Sequence, residues 1–248
     1  MLYAPTPEER ARLETLDLCV LTPVQGYQCW ARFTKALVNM VAYSWSQGLR
    51  VWQIGIVERA PVQWARNDLG RTALAHINEY NGKPFTHFLW LDDDHVFNPD
   101  LALALARHAS LDMVSALYYS RSKPLPVVYV KDHSDDPYKH YPLIEVPPAL
   151  VEVHAVGFGA LLMRREVLER VPEPWFTIDS RGGEDIVFCV HARRHGVRVW
   201  LEGGYKLGHI GDPQIVTEET YRKYLDETPE LADRVCVELG QEEPRDAV

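Results

Sequence analysis

The chain has 248 residues and a net charge of −9, with 46% hydrophobic and 25% charged side chains. This composition fits one globular domain with an ample core, and the acidic balance disfavours non-specific attraction to nucleic acid or an anionic membrane. No apolar run is long enough to span a bilayer, no secretory leader pattern opens the chain, and the four cysteines (Cys19, Cys29, Cys189, Cys236) form no Cys-x-x-Cys pair. The expectation is therefore a soluble cytoplasmic protein, not inserted in a membrane, with Cys19 and Cys189 as buried free thiols.

Residues 1–15 read as a leader that packs late or stays mobile. Leu16 to Leu21 is the first predicted strand, ended by Thr22-Pro23-Val24. A helix follows from about Cys29 to Gln47, with Phe33, Leu37, Val41 and Trp45 as its apolar face and Gly48 as its stop. Val51 to Val57 is the second strand and ends at Glu58-Arg59. A second helix is predicted from Val62 to Tyr80, with Trp64, Leu69, Ala73, Ile77 and Tyr80 on its apolar face.

The third strand, Phe88 to Leu91, is a continuous apolar run of the kind needed by a strand buried on both faces, and it stops at Asp92-Asp93-Asp94. A helix start follows, with Asn98 as N-cap and Pro99 in the first helical position, running to His108. Asp112 to Leu117 is the next strand. This alternation predicts a mainly parallel sheet flanked by helices, whose ligands bind at the carboxyl ends of the strands. Thr22, Glu58 and the aspartate triplet all fall there. Neither a Gly-x-Gly-x-x-Gly nor a Walker loop is present. The triplet is either a solvated acidic turn or, at the end of a buried strand, a seat for a divalent cation carrying phosphates, because hard oxygen ligands suit Mg2+ or Mn2+.

Residues 120–150 hold six prolines among short β-prone pieces, the pattern of irregular strands over a sheet edge. Val151 to Met163 reads as one strand passing Gly157 and Gly159, where the missing side chains allow close backbone or ligand approach. A short helix, Arg164 to Val171, follows. Gly182-Gly183-Glu184-Asp185 then opens a helix that stops at Gly196. Its first-turn carboxylates either stabilise the helix or provide a general base. Val197 to Leu201 is a strand, and His209, beside two glycines, is a turn residue or a metal ligand. Residues 212–248 read as an acidic tail with one helix near Glu218 to Leu225.

The order of these signals resembles the metal-dependent GT-A glycosyltransferases: Thr22-Pro23 ending a strand, Ala65-Arg66-Asn67 on a helix, strand-Asp92-Asp93-Asp94, Gly157-Phe-Gly159, Gly183-Glu184-Asp185 and Gly208-His209. The similarity spans roughly residues 16 to 211. It implies an α/β GT-A fold and transfer of a sugar from a nucleotide-diphosphate donor, UDP being the commonest, to a hydroxyl, with inversion and with Mn2+ or Mg2+. Carried over residue by residue, Asp94 and His209 would hold the metal. Asp92 would contact the ribose or share the metal, and Asp93 could take either role. Asp185 would be the general base and Glu184 would orient the acceptor. Thr22, Pro23 and Glu58 would hold the nucleobase and ribose, and Arg66 would reach a phosphate or the base. Gly157 and Gly159 would line the donor site.

The resemblance also implies a soluble bacterial or phage-type enzyme, in the host cytoplasm if phage-encoded. The acceptor stays open between a glycan or lipid-linked precursor, a protein side chain and a hydroxylated DNA base. For DNA, Arg121, Lys123, Lys131 and Lys139 would have to form a basic groove; otherwise they are a solvated loop. Trp175 and Tyr118 either stack on a sugar or pack in the core. Competing readings are a sugar nucleotidyltransferase, for which Pro23-Val-Gln-Gly26 provides no phosphate loop, and a non-catalytic nucleotide-sugar or glycan-binding module.

Overall fold

The computed structural model describes residues 2–24, 26, 28–58, 60–180, 182–211 and 215–229, without the side chains of Gln53, Ile54, Ile56 and Glu58. The chain begins with helix α1 (Pro7–Leu13), capped by a reciprocal pair in which the Thr6 hydroxyl accepts from Glu9 N–H and the Glu9 carboxylate accepts from Thr6 N–H. Strand β1 (Asp17–Val24), helix α2 (Ala31–Ser46), strand β2 (Arg50–Glu58) and helix α3 (Val62–Ala75) follow. A small hairpin, β3 (Ile77–Asn78) and β4 (Lys83–Pro84), leads into β5 (His87–Leu91), β6 (His95–Val96), α4 (Leu101–Ala106) and β7 (Met113–Leu117). Next come β8 (Val128–Lys131), β9 (His140–Pro142), β10 (Leu150–Val153), β11 (Ala155–Val156), β12 (Ala160–Arg164) and α5 (Arg165–Arg170). The described chain closes with α6 (Glu184–Arg194), β13 (Val199–Lys206), β14 (Gly208–Ile210), β15 (Ile215–Val216) and α7 (Glu218–Glu227).

The central sheet has seven strands in the order β10-β13-β7-β12-β5-β1-β2. β2, β1, β5, β7 and β13 run in one direction, and β12 and β10 oppose them. Both faces are covered, so side chains two apart along a strand enter the same core layer. Cys19, Leu21, Phe88, Trp90, Leu161 and Met163 join one layer with α3, α5 and α6. Leu18, Val20, Leu89, Leu91, Ala160 and Leu162 join the other with α2 and α4. The α/β architecture and the directions of the first strands match the sequence expectation.

Several boundaries differ from the sequence reading. Residues 2–15 are packed onto the body: Leu13 is buried, Tyr3 N–H donates to Asp100 Oδ2 at 2.6 Å, and the Tyr43 hydroxyl donates to Tyr3 O. Helix α3 stops at Ala75 because His76 takes an extended conformation, and the turn closing the following hairpin places Gly82 at φ +66°. The predicted 151–163 strand is three pieces: β10 pairs with β13, β11 pairs with β8 in a separate three-stranded sheet, and β12 returns to the centre. Periodicity of 2 cannot report that a chain changes sheets. Of the apolar face assigned to α3, Leu69 and Ala73 are buried as expected, but Trp64 is 64% exposed, and Arg66 and Asn67 are buried. Most of the predicted tail, residues 230–248 with Cys236, lies outside the described residues, as does Arg59.

Candidate functional site

The parallel strands deliver their carboxyl ends to one edge, and a cleft of ≈ 600 Å³ opens there. Pro23, Arg66, Asp92, Asp93, Asp94, Arg121 and Glu184 line it, together with Val24 and residues 60–62. Burial of β5 fixes the aspartates: once Leu91 is in the core, Asp92 emerges at the edge, its N–H donating to Gly159 O at 3.1 Å. Asp94 is held by its own carbonyl, which accepts from Ile210 N–H at 2.7 Å.

Arg66 ties the two acidic motifs together. It is 2% exposed, its guanidinium lying over Trp90 and Phe158. Nη2 donates to Asp92 Oδ1 at 2.8 Å and Nε to Glu184 Oε1 at 3.2 Å. A charge this deep persists only when paired. Here two carboxylates from distant chain segments, Asp92 after β5 and Glu184 at the start of α6, do the pairing. Burial works against the charged guanidinium, yet Asp92, Glu184 and Asp185 leave its pKa raised. The neighbouring Asn67 secures the approach to Glu184, accepting from the N–H groups of Trp175 and Phe176 and donating to Phe176 O.

A second cluster sits beside the first. Ligand atoms of Asp94, His95 and His209 lie within 4.8 Å of one another. The two histidines come together because β6 and β14 pair antiparallel with His95 opposite His209. His209 Nδ1 faces Tyr119 O at 2.8 Å and His95 Nδ1 faces Gly208 O at 3.3 Å. A carbonyl only accepts, so Nδ1 carries a proton in both rings, and a neutral ring presents a lone pair at Nε2. Burial and the neighbouring His209 pull His95 down to about 4, so it is neutral at pH 7. Asp94 Oδ1 and His95 Nε2 are buried without a hydrogen-bond partner among the described residues. Orphaned acceptors on a carboxylate and an imidazole fit a divalent cation, and the nitrogen content favours Mn2+ over Mg2+.

The titrations of the three aspartic acids in play diverge. Burial, then Asp94 and Asp92, push Asp93 up to about 6. Burial also raises Asp94, but its contact with His209 and the neighbouring His95 and Arg121 outweigh that and the net shift is downward. Burial and the adjacent Glu184 push Asp185 up to about 6, against the Ile186 N–H it accepts from at 2.7 Å and the charge of Arg66.

Of the residues singled out in the sequence, Pro23, Arg66, Asp92, Asp93, Asp94 and Glu184 share the cleft, with Asp185 the next residue along α6. Asp94 and His209 meet, whereas the Asp92 carboxylate turns to Arg66 and stands outside the cluster with them. Thr22 is fully buried behind the lining, and the Glu58 side chain lies outside the described residues. Gly157 and Gly159 make room for neighbours: a Cβ would fall 1.8 Å from the Tyr118 hydroxyl at Gly157 and 2.1 Å from His95 Nε2 at Gly159. Tyr118 and Trp175 are core residues, the Tyr118 hydroxyl accepting from Gly159 N–H at 3.3 Å and the Trp175 indole donating to Val171 O at 2.8 Å. Arg121 belongs to the cleft, its Nη1 3.1 Å from Asp94 Oδ2.

Sequence reasoning missed His95 and read Arg121 only as part of a basic groove or a solvated loop. The adjacency of His95 to Asp94 was the local signal for the first. No local pattern ties Arg121 to Asp94.

No protein-family model matches the chain, and no curated protein matches it. Among solved structures it is similar to the A197 protein from STIV, at 20% identity over 82% of this chain and 94% of that one, with a TM-score of 0.56. It is also similar to GalNAc-T7, solved with UDP, GalNAc and Mn2+, at 13% identity and a TM-score of 0.51. That match covers 85% of this chain and 48% of GalNAc-T7, so the chain spans about half of that structure. The chain has the GT-A fold. Within the GT-A fold, the carboxyl edge described above is the sheet edge where an open α/β sheet takes its ligands.

Proposed function

We propose that the chain is a metal-dependent glycosyltransferase, moving a sugar from a nucleotide-diphosphate donor, UDP-linked in the first instance, to a hydroxyl acceptor with inversion. One observation carries the reading: a single buried arginine joins the Asp92 end of a central strand to the Glu184–Asp185 helix start, with the Asp94–His95–His209 cluster alongside. The UDP and Mn2+ in the GalNAc-T7 structure support the donor class and the ion.

Asp94, His95 and His209 would hold Mn2+ or Mg2+, which supplies positive charge to a departing diphosphate. Asp92, its orientation set by Arg66, would accept a hydrogen bond from the ribose. Pro23 and Val24 form the apolar wall for the nucleoside. Glu184, fixed by the same arginine, would position the acceptor hydroxyl. Asp185 would take its proton as the acceptor oxygen bonds to the anomeric carbon and the bond from that carbon to the diphosphate breaks. A base whose pKa is raised to about 6 is ionised at neutral pH yet more basic than an ordinary aspartate. The acceptor is a glycan, a protein side chain or a hydroxylated base.

Calorimetric titration with UDP, GDP and CDP, in Mn2+ and then in excess chelator, tests the donor half. The expected result is one nucleotide bound in Mn2+, lost with chelator and lost in Asp94→Ala. Absence of binding under every condition would overturn the reading.

A further inference from the structure

We propose that Arg121 is an exchangeable counter-ion: its guanidinium occupies the cation position beside Asp94 in the ion-free protein and passes to the donor's diphosphate when a divalent cation takes Asp94. The second step rests on the nucleotide-sugar reading above, whereas the first does not.

Three observations lead there. The first is position. Arg121 Nη1 stands 3.1 Å from Asp94 Oδ2, against the same carboxylate oxygen that His209 Nε2 approaches at 3.3 Å, so the guanidinium sits at the cluster of potential ligand atoms.

The second is the contrast between the two arginines of the cleft. Arg66 is 2% exposed and committed to two carboxylates, so it cannot leave. The Arg121 side chain is 52% exposed. An ion pair with one exposed partner is worth about 0–1 kcal/mol, far less than divalent coordination, so a metal displaces it without disturbing the fold. Among the described residues lining the cleft, these two are the basic side chains.

The third is how Arg121 is carried. Its loop is clasped at the base: Ser120 N–H donates to Leu125 O at 2.9 Å, Val127 N–H donates to Tyr118 O at 3.0 Å, and Tyr119 bridges Pro126. The neighbouring Tyr119 carbonyl also orients His209. The backbone is thereby fixed beside the cluster and only the side chain has to rotate. A guanidinium released from Asp94 still overlooks the cleft, where a diphosphate offers the paired oxygens that its fork fits.

The test is Mn2+ binding without nucleotide, followed by UDP binding at saturating Mn2+, in wild type, Arg121→Gln and Arg121→Lys. Removing a competing cation should tighten Mn2+ binding about two- to five-fold in Arg121→Gln. Removing a diphosphate partner should weaken UDP binding about ten-fold in the same variant, with partial recovery in Arg121→Lys. A merely structural role would move both affinities in one direction. Mn2+ affinity that is unchanged or weaker in Arg121→Gln, or no Mn2+ binding by wild type, overturns the counter-ion role. Unchanged UDP affinity overturns the diphosphate role alone. If wild type binds Mn2+ but no nucleotide, the donor reading fails, and the Mn2+ comparison still decides the first step.

Discussion

Asp94 and Asp185 stand at opposite ends of the same acidic arrangement, and both are aspartates withdrawn from water. Their titrations nevertheless move apart, Asp94 downward and Asp185 up to about 6. Burial pushes both upward, so the difference comes from the company each keeps. Asp94 faces two imidazoles and Arg121, whereas Asp185 follows Glu184 at a helix start whose arginine is already engaged. A carboxylate that stays ionised serves as a ligand, and one whose proton is held more tightly serves as a base. The lesson is that residue type did not divide the roles; the imidazoles beside Asp94 and the carboxylate beside Asp185 did.

The sharpest way to break this division is Asp185→Asn. Turnover should fall by about 10²- to 10⁴-fold with nucleotide affinity unchanged, as single-turnover rates and calorimetry would report. In wild type, activity should rise with pH through about 6 and then level off, and Asp185→Asn should lose that limb. Stability reports the same group with the opposite sense. A carboxyl whose pKa rises on folding favours the folded state fully below 3.8, and that advantage disappears as pH climbs through about 6. Asp185→Asn should thus match wild type near pH 4 and be the more stable near pH 8, by on the order of 2 kcal/mol in denaturant titration. A variant with near wild-type turnover would remove Asp185 from the chemistry.

Arg66→Ala probes the clamp between Asp92 and Glu184. Two carboxylates would lose their partner inside the protein, and unfolding free energy should drop by about 3–5 kcal/mol. A loss below about 1 kcal/mol would mean that water replaces the guanidinium and that the clamp is not structural. The smallest effect is expected from Gly159→Ala, which sets a methyl against His95. Overpacking of this kind costs about 1–3 kcal/mol, and Mn2+ affinity should fall with nucleotide-independent kinetics while Asp185 is untouched.

What was legible in the sequence had a local cause. An apolar run ending in aspartates has few ways to sit other than as a central strand with its acids at the edge, and Gly183-Glu184-Asp185 carries the start signal of the helix observed from Glu184. The arrangement of the cluster was not local. His95 meets His209 through a two-residue strand pairing across more than a hundred positions, and Arg121 reaches Asp94 from a proline-rich loop that reads as solvated surface. The α3 face was read only in part for a related reason. Counting apolar residues placed Leu69 and Ala73 inside, as observed, but also Trp64, and it left out Arg66 and Asn67, buried polar groups whose partners come from the end of β5 and from the segment before α6. Amphipathic periodicity registers solubility and has no access to such partners.

The Arg66 clamp also bears on how such a site can change over time. Because one guanidinium serves Asp92 and Glu184 together, a substitution at either carboxylate alters the balance of charge at the other, and their effects will not add. Asp92, Arg66 and Glu184 are thus a single heritable unit of three residues. A lineage whose cleft changes would keep the triad and vary the walls around it, or exchange all three members through intermediates that leave a buried charge alone.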